Sequence, residues 1–185
     1  MVPNVLRTVR LDLSAPEEGD EQAIFEACQD PEIARFIPLP HPYERKHAVR
    51  FIEYAAAAWE AGNELTWAIR SGGVLTGMTS LRVNEDEAEI GYWLAAHARH
   101  RGYAAEAVRA VVDFGFAAEG LDLARIAWRA AVGNLASARV AEGLGFRLEG
   151  ILRQGIRLGS GRQDCWIAAL LARDERGPAE WPIRD

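Results

Sequence analysis

Arg99-His100-Arg101-Gly102-Tyr103-Ala104 is a short basic stretch between an apolar run, Ile90-Gly91-Tyr92-Trp93-Leu94, and a long helical pattern. Such residues at such a junction could bind an anion. The first four amides of a helix lack internal partners, and the helix dipole is positive there. Small residues at Gly102 and Ala104 let phosphate oxygens reach the backbone, while Arg99 and Arg101 add charge suited to a diphosphate. The same six residues also fit an ordinary loop with a glycine near a helix start, so alone they carry limited weight. A second stretch, Asn134-Leu135-Ala136-Ser137, is followed by Gly143-Leu144-Gly145-Phe146. By itself it reads as helix punctuation: Asn134 suits an N-cap and Gly145 the residue just past a helix end.

Strands and helices must hold these residues in place. Arg7–Leu13 alternates and reads as an opening strand. Asp20–Gln29 reads as a helix, and prolines 31, 38, 40 and 42 then break the chain into a loop. His47–Ala61 is a second helix, stopped at Gly62. Glu64–Arg70 and Val74–Leu81 form a hairpin across Ser71-Gly72-Gly73, and Glu87–Leu94 is a further strand. The basic loop leads into a helix from Gly102 to about Ala118, with a buried stripe through Ala107, Val108 and Val111. Ala124–Val132 is a strand, Leu135–Leu144 a short helix, and Phe146–Leu152 and Asp164–Ala172 are closing strands. The tail, 173–185, reads as peripheral. Hairpins followed by strand–helix–strand imply one α/β (α+β) domain over residues 1–185, a mixed central sheet flanked by helices.

Bulk composition agrees with a single globular domain. The chain has 185 residues, 49% apolar and 26% charged. A domain of this length buries about 70% of its unfolded surface, enough for one core without metal or disulfide staples. The net charge of -6 argues against a nucleic-acid binder working by general phosphate attraction. Cys28 and Cys165 read as buried free thiols. The four histidines show no paired metal spacing, so no metal is expected. No apolar run is long enough for a signal peptide or a membrane span, and a cytoplasmic location is the default expectation. Exposed edge strands would permit a homodimer. The acidic residues between Asp12 and Glu32 could attract a cationic amine, although a solvated acidic surface is the simpler account of them.

Taken together, in this order and spacing, the two stretches resemble the GNAT superfamily of acyltransferases. That family binds the CoA diphosphate with [Gln/Arg]-x-x-Gly-x-[Gly/Ala], matched here by Arg99, Gly102 and Ala104. Ala88–Leu94, Gly102–Ala107 and Asn134–Val140 look like the RimJ/RimL branch, which acetylates protein N-termini. Leu65–Arg70 and Phe146–Gly150 look like it too. The resemblance runs from about Arg7 to Leu171.

The resemblance implies a sheet whose two neighbouring parallel strands, Glu87–Leu94 and Ala124–Val132, splay so that pantetheine inserts between them. It implies acetyl-CoA as co-substrate and a primary amine as acceptor, a protein N-terminus or a small molecule. Backbone groups of Tyr92, Trp93 and Leu94 would meet pantetheine, and one amide would polarise the thioester, an effect worth roughly 3 kcal/mol in known cases. Residues 99–104 (Arg99, His100, Arg101, Gly102, Tyr103, Ala104) would hold the diphosphate. Asn134 would bond the pantetheine arm, and Ser137 would be the acid near sulfur. The family's commoner tyrosine acid is absent, because Ala141 occupies its position. Glu89 corresponds to a glutamate that serves as base in some relatives, and a solvent-facing strand glutamate is its alternative. Asp164 matches the branch and could simply hold a loop. Without tyrosine at 141 and with the base open, a non-catalytic acyl-CoA-binding module is the competing expectation.

Overall fold

The computed structural model describes residues 3–182. Eight strands form one sheet in the order β1-β2-β3-β4-β5-β6-β8-β7. They are β1 (Leu6–Arg7), β2 (Asp12–Ser14), β3 (Glu64–Ser71), β4 (Val74–Asn84), β5 (Glu87–Leu94), β6 (Arg125–Ala131), β7 (Arg147–Leu158) and β8 (Gly161–Leu171). Every neighbouring pair is antiparallel except β5 and β6. The helices are α1 (Glu21–Ala27), α2 (Pro31–Phe36), α3 (Arg45–Ala61), α4 (Tyr103–Phe116) and α5 (Leu135–Gly143).

Two apolar clusters follow from the two-residue period of the strands. Ile90, Trp128 and Leu170 turn toward α4, whose Ala107, Val108 and Val111 are buried against them. Ala68 and Met78 turn the other way, toward Ile24 of α1 and Ala48 of α3. The result is a three-layer mixed sheet flanked by helices, in agreement with the sequence. Both cysteines are buried and free. No helix among the described residues is long and apolar enough to cross a membrane.

Four expectations change. The opening strand is a small hairpin, because Thr8 folds the chain back. Thr8 N donates to Leu11 O at 2.9 Å, and Leu11 N donates to Thr8 Oγ1 at 3.0 Å. The proline-rich loop begins with α2, started by Asp30 capping Glu32 N at 2.9 Å with Pro31 in the first turn. The closing hairpin is longer than expected, since β7 continues through irregular pairing between Leu152 and Ile156. Gln154 there adopts a positive φ, and its amide donates to Asp164 Oδ1 at 2.9 Å. Asp164 therefore does hold that bulge.

The fourth change concerns the tail, of which 183–185 lie outside the described residues: most of it is exposed, but Trp181 is packed inside. Trp181 is 8% exposed and its indole donates to Phe146 O at 2.7 Å. Its ring lies 5.3 Å from that of Trp128. A lone tryptophan among polar residues carries no period, so the sequence offered no pattern to place it.

Candidate active site

The parallel ladder between β5 and β6 is short. It pairs Glu87 with Arg125, Ala88 with Ile126, Glu89 with Ala127 and Ile90 with Trp128, and there it ends. Gly91 to Leu94 stay paired with β4, and β6 runs on to Ala131 beside β8. The two strands therefore part after Ile90, as a splayed pair. Ala95 N donates to Thr76 O at 2.9 Å, which sets the phase of the β4–β5 ladder. By alternation, Gly91 and Trp93 turn their backbone groups toward β4, while Tyr92 and Leu94 turn theirs toward the gap. The backbone groups of Trp93, expected to meet the gap, thus face β4 instead. Gly77 makes this close pairing possible, since a Cβ there would lie 2.1 Å from Trp93 O.

The gap opens into a cleft of about 610 Å³. Tyr92, Trp93 and Leu94 form its β5 wall; Asn134, Ser137 and Val140 its α5 wall. Its floor is His100, Gly102, Tyr103, Ala104 and Ala105, with Arg99 beside them. Gly102 precedes α4 with φ +76° and no side-chain cap. The first helical bond is Glu106 N to Gly102 O at 3.1 Å. The amides of Tyr103, Ala104 and Ala105 precede that bond and have no carbonyl partner among the described residues. Uncapped amides at a helix start form an anion site. Of the predicted loop, only Arg101 is missing from the lining. The Tyr103 hydroxyl is held below its ordinary ionisation range, first by its hydrogen bond with Ser71 and then by Arg101.

Arg99 has other partners. Its guanidinium donates to Leu94 O at 3.2 Å and pairs with Asp30 at 2.7 Å. It ties the segment leading into α2 to the end of β5, rather than projecting a free charge. Glu32, Ile33, Phe36 and Ile37 on and beside α2 accordingly line the cleft. Arg10 supports the loop from the β1–β2 turn. Its guanidinium donates to Arg101 O at 2.9 Å, pairs with Glu106 at 2.6 Å and lies 4.9 Å over the Tyr103 ring. Burial raises the Glu106 pKa, but hydrogen bonds from Thr8 and Arg10 outweigh it and the net shift is downward.

Asn134 caps α5, accepting from Ser137 N at 3.2 Å. Ser137 Oγ lies 2.9 Å from the Tyr92 hydroxyl and 3.1 Å from Trp128 Nε1. Burial pushes the Tyr92 phenol up to about 12, against the opposing hydrogen bonds of Ser137 and Trp128. Ala141 is 1% exposed within the core. Glu89 lies in the paired part of β5, outside the cleft lining, 3.2 Å from Arg129. The acidic run is largely paired: Asp12 with Arg7, Glu17 and Asp20 with Arg70, Glu21 with Arg45, Asp30 with Arg99, Glu32 with Arg35. It is not a bare acidic field. Among the described residues no group of His, Cys, Asp or Glu has the arrangement of a metal site.

The arrangement can grip a diphosphate on the α4 amides, thread a thiol arm between β5 and β6, and bring its sulfur beside Ser137. Sequence reasoning missed Arg10, the Tyr92 hydroxyl, Trp128 and the α2 wall. Asp30-Pro31 was a readable helix start; Arg10 and Glu106, 96 positions apart, gave no local signal.

Comparison with known proteins follows the same lines. A family model described as "Acetyltransferase (GNAT) domain" matches residues 10–147. The chain is 31% identical over 155 residues to the Bacillus subtilis "Uncharacterized N-acetyltransferase YoaA", covering 81% of this chain and 86% of that protein. In fold it is similar to RimL, a ribosomal L7/L12 alpha-N-protein acetyltransferase solved with coenzyme A. The TM-score is 0.83 at 20% identity, over 91% of this chain and 98% of RimL. Mycobacterium smegmatis RimJ, solved with CoA-disulfide, gives 0.84 at 21% identity, over 93% of this chain and 90% of RimJ.

Proposed function

The chain belongs to the GNAT acetyltransferase family, and from that premise we propose that it acetylates a primary α-amine, of a protein N-terminus or a small molecule, by direct attack on the thioester. It is an acetyl-CoA-dependent N-acetyltransferase. The observation that carries the proposal is the β5–β6 ladder ending at Ile90 and Trp128, so that the β5 residues beyond it and the uncapped start of α4 line one cleft. In the proposal, the amides of residues 103–105 hold the diphosphate, Gly102 and His100 shape its loop, and Arg101 adds charge. The gap-facing groups of Tyr92 and Leu94 meet the pantetheine and thioester, with Trp93 and Asn134 flanking them. Ser137 serves as the acid beside sulfur.

The preference for an α-amine comes from the base. Direct attack needs a neutral nitrogen. An α-amine with a pKa near 8 is about one-tenth neutral at pH 7, whereas a lysine near 10.4 carries about 3 kcal/mol more deprotonation cost. Glu89, the family-derived base, pairs with Arg129 at 3.2 Å and stands outside the cleft. A lysine would call for a strong base, and the carboxylate that lines the cleft, Glu32, is paired with Arg35 at 3.8 Å; an α-amine can pass its proton through water.

Acetyl-CoA is incubated with peptides bearing either a free α-amine or only a lysine amine, and thiol release is followed. Release is expected with the α-amine peptides at more than tenfold the rate of the lysine peptides. Equal rates would refute the α-amine preference. Tight CoA binding without acceptor-dependent thiol release would instead mark an acyl-CoA-binding module.

A further inference from the structure

We propose that Tyr92 is a positioning residue for Ser137: its phenol hydroxyl, fixed beside Trp128, sets the direction of the Ser137 proton and steadies the oxygen that gives it up. The inference rests on the reading of Ser137 as the acid. One turn on from Ser137, position 141 is a buried alanine and offers no polar group. A hydroxyl arrives from β5 instead.

The hydrogen-bond inventory of the cluster is small. Trp128 Nε1 can only donate, and it lies 3.1 Å from both the Tyr92 hydroxyl and Ser137 Oγ. Tyr92 and Ser137 bring one hydroxyl proton each. Their oxygens are 2.9 Å apart, and the Tyr92 hydroxyl is 3.0 Å from Ser137 O. Two arrangements satisfy this geometry. In one, Tyr92 donates to Ser137 O and Ser137 donates to Tyr92, so the serine proton faces away from the cleft. In the other, Tyr92 donates to Ser137 Oγ and the serine proton is free to point into the cleft. Rotating two hydroxyls interconverts them without moving a heavy atom.

The second arrangement equips Ser137 as an acid. As the amine nitrogen bonds to the acetyl carbon, the C–S bond breaks with its electron pair on sulfur. Ser137 Oγ gives its proton to that sulfur. The resulting oxygen charge then faces two donors, Tyr92 O–H and Trp128 N–H, both within 3.1 Å. Fixed donors aimed at a developing charge are effective because they need no reorganisation. The proton shed by the amine returns to Ser137 through water, and atoms and charge balance.

A double-mutant cycle of Tyr92→Phe and Ser137→Ala tests the assignment, with acetyl-CoA binding measured beside kcat. Y92F is expected to lower kcat about tenfold, the value of one fixed hydrogen bond, with the Kd for acetyl-CoA within about twofold of wild type. In the S137A background Y92F should add almost nothing, since Tyr92 acts through Ser137. Wild-type kcat in Y92F, or independent multiplication of the two losses, would overturn the proposal while leaving Ser137 as the acid. Wild-type kcat in S137A would overturn the acid reading itself. Should Y92F fail to fold, fluorotyrosine at position 92 keeps the ring and the donor but ionises more readily. That enzyme should show an alkaline limb in kcat that wild type lacks; an unchanged profile would overturn the proposal.

Discussion

Arg10 shows how a residue remote in sequence can condition an anion site. Glu106 stands in the first turn of α4, close to where the diphosphate would sit, and Arg10 neutralises it. Arg10→Ala should expose the phosphates to that carboxylate and release Arg101 O. The pair is partly exposed, so the expected cost is about 1 kcal/mol, read as a roughly fivefold rise in KM for acetyl-CoA with kcat nearly unchanged. Added salt should shrink the difference. Ala104→Glu places a second carboxylate against the uncapped amides and should raise the same KM more strongly, by roughly tenfold or above. Tyr92 supplies a pH test of the fold. Its phenol is about 10 when unfolded and pushed up to about 12 when folded. The neutral form is thus favoured by folding. That stability is complete below about pH 10 and is lost as pH rises toward 12. Chemical denaturation across this range should show a shallower alkaline decline for Y92F than for wild type.

At the scale of elements, the site is a mismatch between two ladders. β5 stays paired with β4 along its whole length and with β6 along only half of it. The open half needs β4 to hold β5 firmly, and Gly77 is where that contact is tightest. Gly77→Ala would drive a Cβ into Trp93 O and force the strands apart. The expected loss is about 1–3 kcal/mol of stability, measured by urea unfolding, with a larger fall in acetyl-CoA affinity than Arg10→Ala causes. α2 belongs to this scale as well. Its entry is clamped by Asp30 to Arg99, so the α2 wall of the cleft and the end of β5 share one ion pair.

Across the whole molecule, the C-terminal segment closes the structure onto its own site. Trp181 rests on Trp128, and Trp128 donates to both Tyr92 and Ser137. Trp181→Ala removes a buried aromatic and should cost about 3 kcal/mol, lowering Tm by roughly 6–12 °C. It should also lower kcat measured well below that Tm, because Trp128 loses its backing. Calorimetry and steady-state rates together check both effects.

The sequence alone determined whatever is periodic or local. The alternation of β3 to β6, the apolar stripe of α4, the glycine that starts it and the Asn134 cap are written over a few residues each, and pattern and chemistry coincide there. Residues 99–104 and Ser137 were singled out by the family resemblance, once the two short motifs were taken together. Only the tertiary structure decided which charges are free and which are used. Arg99 pairs with Asp30, Glu89 with Arg129 and Arg10 with Glu106, and Tyr92 meets Ser137 across 45 positions. Ion pairs and hydrogen bonds act over a few ångströms of space, and chain separation leaves no trace of them in spacing. The burial of Trp181 was missed for that reason: a single tryptophan has no period, and its partner lies on a strand more than fifty residues earlier.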